Sequence, residues 1–316
     1  MLLPWRFGPG QLRFLLAALV VVSHLTSLNV GRPAVMLFFM LSGYWVSRLH
    51  SGWRTGNATF VASRMLRIWP LYAIVTLLAW LCLRMAGVPS GGDLLSALPL
   101  IGLAARPGDV LGVSWSLDIE LQFYLMMPLI AVLAQRLSAV QALIAALAGF
   151  GAGIWLFAHQ LPTMLFYLPA FLIGVLIHRR QWQPGAALVC ASLIASLAAG
   201  ALFAVLPEWN GLIFKARFTD STAENLAHLG WMLLLAPLVA WNVVQPSDHV
   251  DRWFGDLSYT LYLVHLPVVT LVALVIPMAG AGSKLIALLA IALVSLAVFT
   301  GVDRGLEMRR ARLWRS

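Results

Sequence analysis

Residues 11–25 read QLRFLLAALVVVSHL, a mainly apolar run with an arginine near its start and a histidine near its end. A helix that crosses a membrane needs about 20 such residues. Similar runs recur along the chain of 316 residues, of which 61% are apolar and 10% are charged. Soluble domains carry roughly 25% charged and about 45–50% apolar residues. Together with a mean hydropathy of +0.88, this composition excludes a soluble protein and predicts an all-α, polytopic integral membrane protein.

Apolar windows predict about ten transmembrane helices, with the N-terminal run retained as the first span and not cleaved as a signal peptide. The stretch 87–112 is rich in Gly and Pro, and we predict a partly embedded, partly surface loop there. Because no linker or internal repeat divides the chain, we predict that residues 1–316 form a single transmembrane domain. The predicted spans are about 11–29, 33–49, 66–86, 94–105 plus 113–134 as one span, 139–159, 162–178, 185–206, 226–244, 257–277 and 284–302.

The basic residues, which contribute to a formal charge of +9, fall unequally on the two sides of this topology. One side carries Arg6, Arg13, Arg48, Arg54, Arg64, Arg67, Arg136, Arg179, Arg180, Arg252, Arg304, Arg309, Arg310, Arg312 and Arg315. The other side carries Arg32, Arg84, Arg106, Lys215, Arg217 and Lys284. Since Lys and Arg accumulate on the cytoplasmic side of membrane proteins, the bias and the even number of spans predict that both termini are cytoplasmic.

Two classes of site are excluded by what the sequence lacks. The two cysteines, Cys82 and Cys190, lie inside apolar stretches with no metal-ligand spacing, so we predict neither a metal site nor a disulfide framework. No basic stripe lies on a soluble module, which excludes nucleic acid as a partner. The sequence makes no prediction of oligomeric state.

Arg13 and His24 are the first pair of ionisable residues within an apolar run. They are separated by eleven residues, and eleven steps of about 100° return to nearly the same helix face. At about 1.5 Å per residue, His24 lies roughly 16 Å further along the helix. This pattern predicts a cation near the cytoplasm and an imidazole towards the outer leaflet. The alternative is that Arg13 only follows the positive-inside rule and that His24 is an interfacial histidine.

A second pair, Arg64 and Arg67, lies in SRMLRIWPLY (63–72) at the predicted cytoplasmic end of the third span. Residues spaced i, i+3 lie side by side on a helix. Two adjacent guanidinium groups suit phosphate oxygens. Ordinary positive-inside anchoring explains the same pair.

The segment SWSLDIELQFYLMMP (114–128) places several polar side chains in an apolar helix. Glu120 is a candidate acid that orients or polarises a histidine. Asp118 is a second acid, with helix capping as its alternative explanation. Tyr124 adds a further polar group to the same helix.

Weaker patterns occur in three other places. SYTLYLVHLP (258–267) places Tyr259, Tyr262 and His265 on a loosely shared face, which either lines a cavity or provides hydrogen bonds between helices. In FFMLSGYW (38–45), the small residues Ser42 and Gly43 allow either close helix packing or a kink, and we predict packing. The long outer loop 207–228 either lines a substrate cleft or is a solvated connection.

The order of these motifs along the chain is more specific than any one of them. An Arg-x10-His helix, an LFFxLSGY-type span, an Arg-x-x-Arg-Ile-x-Pro segment, a WSLxxExQFYLxxP helix and a YxLYLxH helix follow one another. This series resembles the acyltransferase-3 family of membrane-bound O-acyltransferases, in a stand-alone member without a fused esterase-like domain. The family more often has Ser at the position of Asp118.

The resemblance implies an acyl-CoA co-substrate, usually acetyl-CoA, and a carbohydrate hydroxyl as acceptor. It implies that Arg13 and His24 form an essential pair, with His24 and Glu120 catalytic. Arg64 and Arg67 match the family's Arg-x-x-Arg pair, and Tyr262 and His265 match its Tyr-Leu-Tyr-Leu-x-His signature. We predict that Arg13, Arg64 and Arg67 bind the co-substrate and that Tyr124, Tyr262 and His265 bind the acceptor. Whether His24 is a base or a transient acyl carrier is left open, as is the acid that partners it.

We therefore predict a transferase of the O-acetyltransferase type in the cell inner (plasma) membrane. It would move an acyl group from cytoplasmic acyl-CoA to an extracytoplasmic or lipid-linked carbohydrate, such as an exopolysaccharide or envelope glycan. Histidine suits this reaction because it titrates near physiological pH. The alternative is a secondary transporter or flippase, which also uses intramembrane His, Glu and Arg. A structural membrane subunit is a third possibility, although it assigns no role to His24 or Glu120.

Overall fold

A computed structural model describes residues 7–88, 93–106 and 109–313, without the side chains of 311–313. Within these residues the chain is helical, and its extended pairing is limited to one isolated bridge between Leu28 and Phe214. The helices are α1 Pro9–Leu25, α2 Gly31–Ser51, α3 Asn57–Met85, α4 Leu94–Ala97, α5 Ser114–Arg136, α6 Ala139–Ala158, α7 Leu168–Arg180, α8 Ala186–Val205, α9 Thr222–Leu233, α10 Ala236–Asn242, α11 His249–Val275, α12 Ala281–Val298 and α13 Arg304–Leu313.

The chain divides into two compact units. Unit 1 takes the described residues up to Asn57 together with Gln122–Gly255, and unit 2 takes Ala58–Leu121 together with the described residues from Asp256 onward. Helices α5 and α11 contribute residues to both units. The division places the Arg13 and His24 helix in unit 1 and the Arg64 and Arg67 helix in unit 2.

Every predicted span overlaps a helix. However, in the part of the chain that the structure describes, fewer than ten helices meet the length and composition that a membrane crossing requires. Among the described residues, six helices are long and apolar enough to cross a membrane, or seven if α9 and α10, bent by 47°, form one span. Helix α1 has 17 residues and α7 has 13. About ten crossings and cytoplasmic termini therefore stay predictions. Of the residues used for the orientation, Arg6 and Arg315 lie outside the described residues, as does the side chain of Arg312.

The core of unit 1 contains a close crossing of α2 and α7. A side chain added at Gly43 would overlap the backbone carbonyl of Phe171, and one added at Gly174 would overlap that of Met40. The absent side chains let the two backbones approach, as small residues do at interfaces between membrane helices. Phe171 stacks on Phe123 with ring centroids 4.2 Å apart. The prediction that Gly43 serves close packing is confirmed.

In unit 2, the described parts of the stretch 87–112 fold back on α3 and α5. The hydroxyl of Tyr72 donates to the carbonyl of Ala97 at 2.9 Å, and Trp69 Nε1 donates to the carbonyl of Leu98 at 2.8 Å. Leu100 is 1% exposed whereas Leu95 is 77% exposed. The described part of the stretch is therefore partly buried within unit 2, and its one α-helix, α4, has four residues, too few to cross a membrane. Partial embedding in the membrane stays a prediction. Residues 89–92 and 107–108 lie outside the described residues.

The start of α5 corrects the capping interpretation of Asp118. Asp109 Oδ1 accepts a hydrogen bond from the Ser114 hydroxyl at 2.7 Å, and its other oxygen accepts from the Ser114 N–H. Asp118 instead lies in the second turn, is buried, and accepts from the N–H of Ala104 at 2.9 Å. Capping is therefore wrong for Asp118, because Asp109 accepts the hydrogen bond of the first helical N–H group, that of Ser114. Asp118 ties the preceding loop to the helix.

Candidate active site

The N-terminal end of α1 is held by two buried polar residues of unit 1. Asp251 Oδ1 accepts a hydrogen bond from the N–H of Gln11 at 2.9 Å, and Asn242 Nδ2 donates to the carbonyl of Phe7 at 2.9 Å. A side chain at Gly10 would overlap the backbone of Asp251. Hydrogen bonds from the free N–H groups of a helix start to a carboxylate fix its position. The helix that carries Arg13 and His24 therefore begins at a fixed point.

Arg13 and Arg48 share one aromatic platform. The guanidinium carbon of Arg13 lies 5.6 Å from the ring centroid of Trp45, and that of Arg48 lies 5.4 Å from the same ring. Guanidinium groups at this range are attracted by the negative face of an aromatic ring. Trp45 and Arg48 were not among the predicted site residues, although their i, i+3 spacing on α2 is a detectable signal. Both guanidinium groups therefore lie within contact range of one aromatic ring.

His24 lies in the last turn of α1, where its side chain is exposed. The helix ends at Leu25, four residues before the predicted end of the span. Thr26 causes this early end, because its hydroxyl donates to the carbonyl of Val22 at 2.8 Å and accepts from the N–H of Leu28 at 3.2 Å. Ser23 contributes a hydrogen bond from its hydroxyl to the carbonyl of Leu28 at 2.9 Å. The backbone on both sides of His24 is therefore fixed by local hydrogen bonds.

Residues 211–215 of the outer loop are bonded to the turn that follows His24. The N–H of Asn29 donates to the carbonyl of Ile213 at 2.7 Å, and the N–H of Lys215 donates to the carbonyl of Ser27 at 2.8 Å. The ammonium of Lys215 donates to the carbonyl of Ser23. Burial lowers the pKa of Lys215. Lys215 therefore brings a cationic side chain to the residue before His24.

The rest of the outer loop is folded around Arg32. Its guanidinium forms an ion pair with Asp220 at 3.0 Å, donates to Asn225 Oδ1 at 2.8 Å and lies 5.1 Å from the ring centroid of Phe218. Glu224 Oε2 accepts from the hydroxyl of Thr219 at 2.6 Å. These bonds order the loop, and both interpretations of residues 207–228, as the lining of a substrate cleft or as a solvated connection, stay open. The loop is a structured element beside the end of the helix that carries His24.

In unit 2, Arg67 is surrounded by carboxylates. Its guanidinium pairs with Glu307, lies 3.6 Å from Asp256 Oδ1 and stands over the ring of Tyr259 at 5.8 Å. Arg64 has a different environment, with its Nη2 at 3.4 Å from the hydroxyl of Ser63. Opposite charges beside a guanidinium reduce its attraction for another anion. The two arginines of the predicted pair are therefore not equivalent.

Tyr262 and His265 form hydrogen bonds within unit 2. The hydroxyl of Tyr262 lies 2.7 Å from the Ser116 hydroxyl and donates to the carbonyl of Val113 at 3.3 Å. His265 is fully buried, and its Nδ1 lies 2.8 Å from the carbonyl of Tyr262. Because a carbonyl only accepts, Nδ1 carries the proton. The contacts of Tyr262 favour the interhelical interpretation, since they join α11 to the first turn of α5.

The predicted site residues are distributed over both units. Unit 1 contains Arg13, His24 and Tyr124, and unit 2 contains Arg64, Arg67, Glu120, Tyr262 and His265. Within unit 1, the structure places Arg13 and His24 on one rigid helix with anchored ends. Glu120 is half-buried on α5 and Tyr124 is buried. The pairing of His24 with Glu120 stays a prediction. Lys215 was used only to orient the topology, and its contact with Ser23 is a tertiary feature.

Among the described residues, no group of three His, Cys, Asp or Glu side chains has an arrangement that could hold a metal ion. Compared with known families, residues 8–302 match the model of a family described as an acyltransferase domain. No curated protein and no solved structure matches the chain. The family match covers nearly the whole chain and includes all the predicted site residues.

Proposed function

The chain belongs to the acyltransferase-3 family, and from this premise we propose that it transfers an acetyl group from cytoplasmic acetyl-CoA to a carbohydrate hydroxyl. The acceptor class is an extracytoplasmic or lipid-linked glycan, and the location is the cell inner (plasma) membrane. Membership of the family and several long apolar helices make the chain a multi-pass membrane acyltransferase. The donor, the acceptor and the O-acetyl type are the proposed part.

His24 is proposed as the general base. A sugar hydroxyl is a poor nucleophile at neutral pH, and a positioned base accelerates its reaction by roughly 10²–10⁴. The imidazole takes the hydroxyl proton while the oxygen attacks the thioester carbonyl and forms the new C–O bond. The C–S bond then breaks, and the CoA sulfur receives the proton from the imidazolium. The exposure of His24 at the end of α1 supports this assignment, because the base must reach a bound hydroxyl.

Arg13, Arg64 and Arg67 are proposed to bind the phosphates of the CoA co-substrate. Arg13 has the strongest support, since Trp45 orients it beside Arg48 and we add Arg48 to this group. A phosphate at Arg67 must compete with Glu307 and Asp256. We therefore assign Arg67 a smaller share of the binding energy.

Glu120 is proposed as the acid that stabilises the charged imidazole, an assignment that rests on its place in the WSLxxE motif. Tyr124 and His265 are proposed to contribute to acceptor binding on the same kind of motif evidence. The hydrogen bonds of Tyr262 to Ser116 and Val113 support a positioning function for Tyr262.

The observation that carries this proposal is the family match over residues 8–302. Purified protein in detergent, given labelled acetyl-CoA and a panel of glycans, is expected to release CoA in an acceptor-dependent manner and to label the glycan. The His24→Ala variant is expected to be inactive. His159→Ala, which changes an exposed histidine at the end of α6, is the matched control. Full activity of His24→Ala would overturn the assignment of His24. Substrate counterflow without CoA release would overturn acyl transfer and favour a carrier.

A further inference from the structure

A half-open apolar groove of about 660 Å³ lies in unit 1 between the C-terminal half of α5, α6 and α7. Its wall includes Leu133 of α5, Ala142 and Ala146 of α6, and Leu172 of α7. Ligand-binding cavities in proteins span about 300–1,000 Å³ and are mostly apolar with a few polar groups. The size and lining of this groove fall within that description.

Two arginines close one end of the groove. Arg179 and Arg180, the last two residues of α7, are the charged residues of its lining, and both are exposed. Arg179 Nη1 lies 3.4 Å from the carbonyl of Ala134, which ties the end of α7 to α5. Within the part of the chain that the structure describes, neither arginine forms an ion pair with a carboxylate. The end of the groove therefore carries two positive charges that no carboxylate of the described residues pairs with.

From this charge pattern we propose that the groove binds an anionic phospholipid of the surrounding bilayer. Its acyl chain lies along the apolar wall, and its phosphate is bound by Arg179 and Arg180. Basic pockets between membrane helices bind anionic head groups by this combination of charge and apolar contact. Forked guanidinium donors match the geometry of phosphate oxygens.

A lipid explains both parts of the groove, whereas a free phosphate or a neutral apolar molecule explains only one. A free phosphate gains nothing from contact with an apolar wall, and a neutral apolar molecule forms no ion pair with the two guanidinium groups. The residues involved lie outside the predicted site residues, so this proposal does not depend on acyl transfer. The arginines lie on the side that the charge bias predicts to be cytoplasmic.

The first test measures lipid binding by native mass spectrometry of delipidated protein titrated with phosphatidylglycerol or with phosphatidylcholine of the same chains. Wild-type protein is expected to bind phosphatidylglycerol more tightly. The double variant Arg179→Gln/Arg180→Gln is expected to bind phosphatidylglycerol about 10- to 30-fold more weakly, since each basic residue near a membrane surface strengthens the binding of anionic lipid by roughly 5-fold. The control Arg54→Gln/Arg304→Gln removes two exposed arginines of the same predicted side and is expected to bind as wild type.

The second test fills the groove. Ala146→Trp is expected to weaken binding of both lipids, whereas Ala152→Trp, at an exposed position of α6 outside the groove wall, is expected to have no effect. Equal wild-type affinity for the two lipids, or an unchanged affinity in the double arginine variant, would overturn the proposal. Inorganic phosphate that binds to Ala146→Trp as tightly as phosphatidylglycerol binds to wild type would also overturn it, because the ligand would then be a free phosphate. If Ala146→Trp fails to fold, the arginine variants alone decide.

Discussion

Arg13 and Arg67 look alike in the sequence, since each lies near one end of an apolar helix and belongs to a basic motif, but their surroundings differ. Arg13 in unit 1 stands on the ring of Trp45, which also holds Arg48. Arg67 in unit 2 is paired with Glu307 and lies near Asp256. An aromatic ring orients a guanidinium and leaves its charge in place, whereas carboxylates neutralise it. Under the proposed function, this difference predicts that Arg13 contributes mainly to co-substrate binding and Arg67 mainly to stability.

The histidines of the two units also differ in their surroundings. His24 is exposed at the end of α1, while His265 is fully buried and bonded to a backbone carbonyl of its own helix. An exposed imidazole can exchange a proton with a substrate, whereas a buried one with a fixed proton is suited to packing. The variants below test whether His24 and Arg13 of unit 1 affect catalysis and co-substrate binding more strongly than Arg67 and Tyr262 of unit 2 do.

The largest effect is expected at His24. Replacing it with Ala removes the proposed base and should lower the rate of acyl transfer by roughly 10²–10⁴. Labelled acetyl transfer to the glycan measures this, with the melting temperature as a check that the protein is folded. The control His159→Ala should keep the wild-type rate. A His24→Ala rate of acyl transfer within a factor of two of wild type would contradict the assignment of His24 as the general base.

Arg13→Gln is expected to raise KM for acetyl-CoA by about 10- to 100-fold with a small change in kcat, because a charged hydrogen bond contributes about 1.5–3 kcal/mol. Steady-state kinetics at varied acetyl-CoA measure it. Arg48→Gln should raise KM in the same direction, since Trp45 orients both side chains. A lower melting temperature with an unchanged KM for acetyl-CoA would show that Arg13, like Arg67, contributes to stability and not to co-substrate binding.

Arg67→Gln is expected to lower the free energy of unfolding by about 1–2 kcal/mol, because it removes one of the two arginines that pair with Glu307 and a guanidinium near Asp256. Unfolding of the purified protein in detergent measures this loss. The double variant Arg67→Gln/Glu307→Gln should be less destabilised than the sum of the two single variants, as expected for residues in contact. An increase in the KM for acetyl-CoA as large as that expected for Arg13→Gln would show that Arg67 also contributes strongly to co-substrate binding.

Tyr262→Phe is expected to lower the free energy of unfolding by about 1 kcal/mol, the usual net contribution of one hydrogen bond. The reason is the loss of its bonds to the Ser116 hydroxyl and the Val113 carbonyl. Ser116→Ala should produce a similar loss, and KM for the acceptor should change little in either variant. An increase in the acceptor KM limited to Tyr262→Phe would restore a substrate-binding function.

The smallest effect is expected at Lys215. The variant Lys215→Met should change the free energy of unfolding by less than about 1 kcal/mol, as for other partly exposed charges. Burial lowers the pKa of Lys215 from its ordinary value of 10.5. Between the lowered pKa and 10.5, the folded protein binds fewer protons than the unfolded chain, so stability rises with pH in that window. Unfolding measured across this window should therefore show wild type gaining stability relative to Lys215→Met. Parallel pH profiles of the two proteins would contradict this.

Sequence reasoning located the helices well because their signal is local. The predicted spans 139–159 and 185–206 correspond to Ala139–Ala158 and Ala186–Val205 within two residues. It was less successful at helix ends and breaks, such as the early end of α1 at Leu25, where side-chain bonds of Thr26 decide. Capping, the alternative explanation for Asp118, is wrong, and the sequence does not reveal this because Asp109, which caps the helix instead, lies in an irregular loop with no periodicity.

By itself, the sequence determined that the chain is a helical membrane protein of the acyltransferase-3 family, with Arg13 and His24 on one helix face. Apolar runs must satisfy their backbone hydrogen bonds internally, and this requirement can be read from composition alone. Only the tertiary structure decided that Arg67 meets Glu307, 240 positions away, and that Lys215 reaches the carbonyl of Ser23, 192 positions away. Such contacts depend on how helices pack, and no local pattern encodes which distant side chain will face a given arginine or lysine.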